Sequence, residues 1–273
     1  MTYSEICDAL AAAGIDDAAY EAAILIEKFC GVGRTALLLD RNREFISDAL
    51  THAVNQRCRR YPLQYIVGEW SFCNEIYELS PDCLIPRPDT ELLVERAAAV
   101  IKPQGRFIDL GTGSGCISVS LLAMRSDLRG VAADISAGAI ETAQRNAVRN
   151  GISDRLEFAS IDMLSDELWT SDVKFDAIIS NPPYIPTSQL SDLDPELAYE
   201  PSRALDGGND GLVFYRKIIE NADKILSTGG VILFEFALDQ SDDIEALAAA
   251  RGYSYTLYRD IENRPRACLL TQS

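Results

Sequence analysis

The 273-residue chain has one histidine, His52, and none of its seven cysteines stands in a C-x-x-C spacing with another. A lone histidine cannot be built into a convincing Ser-His-Asp or Cys-His set, and zinc sites and disulfide frameworks need regularly spaced ligands. Cys7, Cys30, Cys58, Cys73, Cys83, Cys116 and Cys268 are read as reduced, mostly small buried hydrophobes, and no metal is expected. No apolar run approaches the roughly 18 residues that would span a bilayer. The opening Met1-Thr2-Tyr3-Ser4-Glu5 has no basic stretch leading into an apolar one. Neither a secretory signal nor a membrane partner is therefore expected, and the expected location is cytoplasmic. Basic residues are scarce too, 25 Lys and Arg against 42 Asp and Glu, for a net charge of −17. An acidic body repels phosphate backbones, so direct nucleic-acid binding is not expected. The one tight basic cluster, Arg57, Arg59 and Arg60, reads as a solvated helix end that complements the helix dipole.

What is present divides into three stretches. Over residues 1–62, Ile6, Leu10 and Ala13, then Ala22, Ile24, Leu25, Ile26 and Phe29, recur at helical spacing. Gly14 and Gly31-Val32-Gly33 punctuate them, Asp16 and Ser47 are candidate caps, and a helix over 44–61 is stopped by Pro62. A small all-helical domain of about four helices is expected. Residues 63–88 are richer in aromatic and β-branched types. Tyr65-Ile66-Val67, Trp70-Ser71-Phe72 and the run 75–79 predict a β-hairpin linker, followed by the stiff turn Ile85-Pro86-Arg87-Pro88. Asp89-Thr90-Glu91 then opens a helix to about Ile101.

Over residues 89–273, apolar strands at 107–110, 130–133, 156–158, 175–179 and 231–235 alternate with amphipathic helices. Two more strands, at 253–258 and 266–270, are placed as an antiparallel edge. The pattern predicts an α/β fold with a doubly wound, mostly parallel sheet of seven strands, whose ligands bind beyond the strands' carboxyl ends.

Asp109-Leu110-Gly111-Thr112-Gly113-Ser114-Gly115 follows the first of these strands and opens a helix. It is not a P-loop, which would end in Gly-Lys-Ser/Thr, and it lacks the Gly-x-Gly-x-x-Gly spacing of a dinucleotide loop. Asp-x-Gly-x-Gly-x-Gly is the form typical of the S-adenosyl-L-methionine fold. Its glycines let the backbone approach a ligand, and Asp109 can face the ammonium of a methionyl group, directly or through water. Asp134, ending the second strand, can accept from both ribose hydroxyls. Asp162 after the third strand can accept from an adenine amino group, and Met163 can pack on the adenine face. A plain tight turn and a helix-capping Asp162 are the blander alternatives.

A second loop, Asn181-Pro182-Pro183-Tyr184, leaves the strand at 175–180. Two consecutive prolines forbid helix and remove two backbone donors. A target NH2 group has two hydrogens, which the Asn181 side-chain oxygen and the Pro182 carbonyl can accept. Tyr184 offers a flat face to a planar amide or base. A transferase acting on an amide or amine nitrogen follows, with Asn181, Pro182 and Tyr184 as catalytic candidates and Pro183 as part of the substrate wall. The two loops alone suit acceptors at adenine N6, cytosine N4 or glutamine N5.

Pro62-Leu63-Gln64-Tyr65-Ile66-Val67-Gly68-Glu69-Trp70, Leu84-Ile85-Pro86-Arg87-Pro88-Asp89-Thr90-Glu91 and the loop from Asp109 to Cys116 resemble the bacterial release-factor glutamine methyltransferase family. So do Ser180-Asn181-Pro182-Pro183-Tyr184-Ile185-Pro186 and the run from Glu200 through Asp206-Gly207-Gly208-Asn209-Asp210-Gly211-Leu212. The resemblance covers nearly the whole chain. It implies a class I S-adenosyl-L-methionine-dependent methyltransferase fold behind a helical domain, and the position of that domain, with the need to hold a protein substrate, leads to the expectation that it docks substrate. It implies methylation of the glutamine of the Gly-Gly-Gln motif in peptide chain release factors, with S-adenosyl-L-homocysteine as the other product. Asn181, with the Pro182 carbonyl, would hold the amide, while the glycine loop, Asp134 and Met163 would hold the cofactor; Arg87 would shape the mouth of the site. Two positions depart from the family's pattern: Asp89, where Glu is more usual, and Phe236-Ala237, where a glycine is expected. A DNA or RNA adenine-N6 methyltransferase that flips its base against Tyr184 is the alternative.

Overall fold

A computed structural model describes residues 1–40 and 42–272; Arg41, within the expected helical domain, and Ser273, at the end of the last expected range, lie outside the described residues. The chain separates into two compact units. The first comprises Met1–Glu69 with Asp194–Tyr199, so a short segment far along the sequence joins the helical domain expected over 1–62.

In that unit α1 (Tyr3–Ala12), α2 (Ala18–Cys30), α3 (Arg34–Leu39), α4 (Asp48–Cys58) and α5 (Leu63–Val67) follow one another. Thr2 and Glu5 form a reciprocal capping box at the head of α1, and Ser47 accepts from the Leu50 N–H at the head of α4. Asp17, not Asp16, precedes α2, without a side-chain cap bond. Ile6, Leu10, Ala22, Leu25 and Ile26 are buried as these spacings anticipate, Ala13, Ile24 and Phe29 only partly so, and Leu37 and Leu50 join the buried face. Tyr65-Ile66-Val67 is helical, against its β propensity. Pro62 sets the backbone just before the turn and Gly68, with φ of 76°, ends it, so local stop signals outweigh side-chain preference.

The arginine cluster is not a solvated helix end. Arg57 is only 6% exposed and its guanidinium holds Glu21 at 2.5 Å and Glu196 at 2.9 Å, while Arg60 also reaches Glu196 at 2.9 Å. Together with Tyr199, whose ring meets Tyr61 edge-on at 5.1 Å, these pairs fasten residues 194–199 to the helices.

The second unit starts at Trp70, inside a hairpin of β1 (Glu69–Phe72) and β2 (Glu75–Glu78), followed by α6 (Thr90–Val100). A seven-stranded sheet follows: β3 (Arg106–Leu110), β4 (Arg129–Asp134), β5 (Leu156–Ser160), β6 (Phe175–Ser180), β7 (Leu226–Glu235), β8 (Tyr253–Arg259) and β9 (Pro265–Gln272). Its order is β5-β4-β3-β6-β7-β9-β8, parallel through β7 with β9 and β8 antiparallel, as expected for the late strands. The helices α7 (Cys116–Met124), α8 (Ala137–Arg149), α9 (Val213–Asn221) and α10 (Ser241–Ala249) complete this doubly wound unit. The core lies where Ile108, Leu110, Ile178, Ile232 and Phe234 meet Tyr215, Ile218 and Ile244. Strand order reverses between β3 and β6, and at such a point the two helix layers part and leave a crevice at the carboxyl ends.

Candidate active site

That crevice is an open cleft with about 1080 Å³ of empty space, its mouth included. Ten sequence candidates line it: Arg87, Gly111, Thr112, Gly113, Ser114, Asp134, Asp162, Met163, Asn181 and Pro183. They come from the ends of β3, β4, β5 and β6 and from the Pro-rich turn, which the parallel sheet brings together over nearly a hundred residues. Asp109, Gly115, Pro182 and Tyr184 are not on its wall.

The glycine loop turns on three left-handed residues, Gly111 at φ 76°, Gly113 at 56° and Gly115 at 81°. They serve different ends. A side chain at Gly113 would meet nothing within 4 Å, so this residue keeps the cleft floor bare. At Gly111 a Cβ would stand 3.2 Å from the Met163 methyl. At Gly115 it would stand 3.0 Å from the Ala143 Cβ, so the third glycine permits the close approach of α7 and α8 and not of a ligand.

Asp109 lies beneath this loop, fully buried. Its Oδ2 accepts the Thr112 hydroxyl at 2.6 Å and the Ser118 hydroxyl at 2.7 Å, which ties the loop to the first turn of α7. Its Oδ1 has no hydrogen-bond partner among the described residues, and burial lifts the carboxyl to about 6. Asp134 accepts the Gly113 N–H at 2.9 Å on Oδ2 and the Ser136 N–H at 2.8 Å on Oδ1. Burial raises this carboxyl and the two backbone donors oppose the rise. Each oxygen keeps a second lone pair for a cleft ligand. Asp162 accepts the Leu164 N–H at 2.8 Å and so does cap its turn, while still lining the cleft.

Asn181 sits at the end of β6 and donates from Nδ2 to the Thr90 hydroxyl at 3.3 Å. Pro182 and Pro183 are buried and Tyr184 is half-buried, its ring against the core. Burial pushes the Tyr184 phenol up to about 12, so it remains neutral. The loop is clamped from outside. Ile185 bonds with Leu205 and Gly207 at 3.0 and 2.8 Å, and Gln240 donates to the Tyr184 carbonyl at 3.0 Å. A Cβ at Gly207 would stand 2.8 Å from Tyr184 Cα, and one at Gly211 only 2.5 Å from Gln240 Nε2. The glycines of the 206–212 run thus let the backbone lie against the Asn-Pro-Pro-Tyr loop.

Arg87 pairs with Glu200, which is 6% exposed and also accepts the Ile85 N–H at 3.0 Å. One buried carboxylate thereby fixes the whole Ile-Pro-Arg-Pro turn at the cleft mouth. Of the departing positions, Asp89 pairs with Arg266 at 3.1 Å, and Phe236 is buried in the core.

Comparison with known proteins bears on this geometry. Residues 3–68 match the PrmC N-terminal domain and residues 88–208 the methyltransferase small domain. A release factor glutamine methyltransferase of Geobacter sulfurreducens is 37% identical over 250 residues, which is 89% of this chain and 86% of the relative. Another, from Rhodospirillum rubrum, is 39% identical over 271 residues, covering 96% of this chain and 81% of the relative. The chain belongs to the release factor glutamine methyltransferase family. A methyltransferase from Pyrococcus furiosus, 18% identical, superposes with a TM-score of 0.55 over 72% of this chain and 88% of that one, and shows the shared fold.

As a member of that family the chain is a methyltransferase, with the class I fold that the strand order displays. Its cleft suits a nucleoside carrying a cation: a glycine floor open above Gly113, carboxylates at two strand ends, and the apolar Ile135, Ile161 and Met163 around them. Methyltransferase use of S-adenosyl-L-methionine agrees with that donor set. Thr90, Glu200, Gln240 and the 206–212 run support this family's site without having been assigned roles from sequence. Thr90, Glu200 and Gln240 act across 56 to 115 residues, a separation over which local pattern gives no signal. Among the described residues, no helix is long and apolar enough to cross a membrane.

Proposed function

We propose that this protein methylates the side-chain amide nitrogen of the glutamine in the Gly-Gly-Gln motif of peptide chain release factors, in the cytoplasm, using S-adenosyl-L-methionine. The observation that carries the reading is the setting of Asn181: it borders the cleft and turns its Nδ2 inward to Thr90, which leaves Oδ1 to accept from a substrate. Membership of the family supports glutamine as the acceptor.

The glycine loop, Asp134, Asp162 and Met163 would hold the cofactor, with Asp134 at hydroxyl groups and Met163 against the base. S-adenosyl-L-methionine, when bound, supplies a methyl group on a sulfonium, an excellent leaving group. Positioning is then the chain's main contribution. Asn181 Oδ1 and the Pro182 carbonyl each accept one amide hydrogen, Pro183 borders the amide from the cleft wall, and Tyr184, its ring against the core, backs the loop from behind. Held by two acceptors, the nitrogen presents its lone pair toward the cleft and is drawn out of conjugation with its carbonyl. The helical unit docks the body of the protein substrate.

The test offers labelled S-adenosyl-L-methionine and the enzyme a release factor, its Gly-Gly-Gln glutamine-to-alanine variant, and duplex DNA. Label on the unaltered release factor alone is expected; label on DNA would transfer the site to adenine chemistry. Asn181→Ala should lower turnover by about 100- to 1000-fold, the cost of deleting one aligned polar group at a reacting centre. Equilibrium binding of S-adenosyl-L-methionine should survive, and an equal loss of both would remove Asn181 from its role.

A further inference from the structure

Glu235 ends β7 and is 4% exposed, an ionisable side chain closed off from solvent. The parallel register of β6 and β7 pairs Ser180 with Phe234, so the next residues on each strand, Asn181 and Glu235, emerge side by side. The Thr90 hydroxyl, from the first turn of α6, completes the group: it accepts from Asn181 Nδ2 at 3.3 Å, and both it and the Asn181 side chain lie close enough to the Glu235 carboxyl to lower it. One carboxyl oxygen, Oε2, has no hydrogen-bond partner among the described residues. Burial of an acceptor with spare capacity is costly unless a donor is held against it.

An asparagine amide is nearly symmetric in shape, and only its neighbours decide which end faces a substrate. With Oδ1 turned inward, the amide oxygen would oppose the Glu235 carboxylate, which when ionised only accepts. With Nδ2 inward, one hydrogen meets the Thr90 hydroxyl and the other is left for the neighbouring Glu235 carboxylate. We infer that Glu235 is a positioning residue: its carboxylate, with the Thr90 hydroxyl, takes the N–H groups of Asn181 and turns Oδ1 toward the acceptor nitrogen. The inference rests on the proposed use of Asn181 to hold a substrate amide.

The ionised form is the one that orients, because a protonated Glu235 could donate to Oδ1 and reverse the amide. Burial pushes this carboxyl up to about 7. Asp89 at the head of α6 and Arg266 on β9 face it, with opposite effects, and Tyr184, Tyr215 on α9 and Cys116 on α7 sense its charge. The orienting state is therefore gained as pH rises through neutrality.

The experiment follows the Asn181 side-chain NH2 signal by 15N NMR in the full-length protein, identified as the signal that Asn181→Ala removes. In the wild type it should titrate once near pH 7 between about pH 5.5 and 8.5, and in Glu235→Gln, which keeps size and removes charge, it should not move. Glu235→Gln should also lower kcat on a release factor by about 10- to 100-fold, abolish the rise of kcat through pH 7, and leave the KM for S-adenosyl-L-methionine unchanged. A wild-type signal that does not titrate, or one that titrates alike in Glu235→Gln, overturns the inference. A wild-type enzyme that leaves release factors unlabelled defeats the substrate reading instead, and the NMR result still decides the part played by Glu235.

Discussion

The loop after β3 and the loop after β6 leave neighbouring strands and border one cleft, but they are held by opposite means. The first turns on glycines and is tied to its own strand and helix and to the end of the next strand: Asp109 takes Thr112 and Ser118, and Ala133 and Asp134 take the N–H groups of Gly111, Thr112 and Gly113. The second is stiffened by two prolines and tied down from without, by Thr90, Leu205, Gly207, Gly211 and Gln240. The cofactor-side loop thus rests on its own strand, helix and one neighbouring strand end, while the acceptor-side loop is the meeting point of three distant segments. Damage to the first should fall on cofactor binding and on stability, and leave turnover at saturating cofactor near its normal value. Damage to the second should spread to fold stability and to catalysis together.

The largest effect is expected at Gly211, where φ is 75° and an added methyl would press on the Tyr184 carbonyl and stand 2.5 Å from Gln240 Nε2. A left-handed alanine costs about 1–2 kcal/mol and forced displacement of packed neighbours about 1–3 kcal/mol more. Gly211→Ala should therefore lower unfolding free energy by about 3 kcal/mol, measured by urea denaturation. It should also reduce kcat by more than it weakens S-adenosyl-L-methionine binding. A variant of unchanged stability would show that the clamp yields freely.

Asp109 offers a pH-dependent break on the other side. Its carboxyl stands at about 6 in the folded protein against 3.8 ordinarily, so ionisation costs the folded state more than the unfolded chain. For such an acid, stability is fullest below pH 3.8 and falls as pH rises to about 6, by an amount on the order of 3 kcal/mol for a difference of that size. Asp109→Asn removes the titration, while its side-chain oxygen can still accept from Thr112 and Ser118. The variant should gain on the wild type between pH 4 and pH 7 in thermal unfolding. A constant difference across that window would mean that the buried carboxyl is not the titrating group.

The same contrast explains what was legible in the sequence. All seven strands of the large sheet were readable, since β3, β4, β6 and β7 are short apolar runs that a buried parallel sheet requires. The glycine loop was readable because its conformation is written in its own residues, though Asp109 turned out to hold the loop from below and Gly115 to serve helix packing. Elsewhere neighbours decided. Tyr65-Ile66-Val67 became helix through Pro62 and Gly68, and Arg57 was buried by Glu21 and Glu196, the latter 139 residues away. The Gly-Gly-x-Asp-Gly run was visible as a motif, but its task depends on the position of Tyr184, which no spacing encodes. Glu235 carried no signal at all, being one acidic residue at the end of one apolar strand.

The smallest effect should come from Gly113→Ala, and it sharpens the comparison most because it shares its chemistry with Gly211→Ala. Gly113 is also left-handed, at φ 56°, but a methyl there meets nothing within 4 Å. Only the backbone cost of about 1–2 kcal/mol remains, with no packing to displace. The added methyl would project where the cleft floor is bare and where the loop N–H bonds to Asp134 at 2.9 Å. Binding of S-adenosyl-L-methionine, measured by calorimetry, should weaken by about tenfold or more, about 1.4 kcal/mol. Turnover at saturating cofactor should stay near that of the wild type, because the Asn181 loop is untouched. If Gly113→Ala instead lost turnover at saturation while Gly211→Ala lost cofactor binding, the division of labour between the two loops would be reversed.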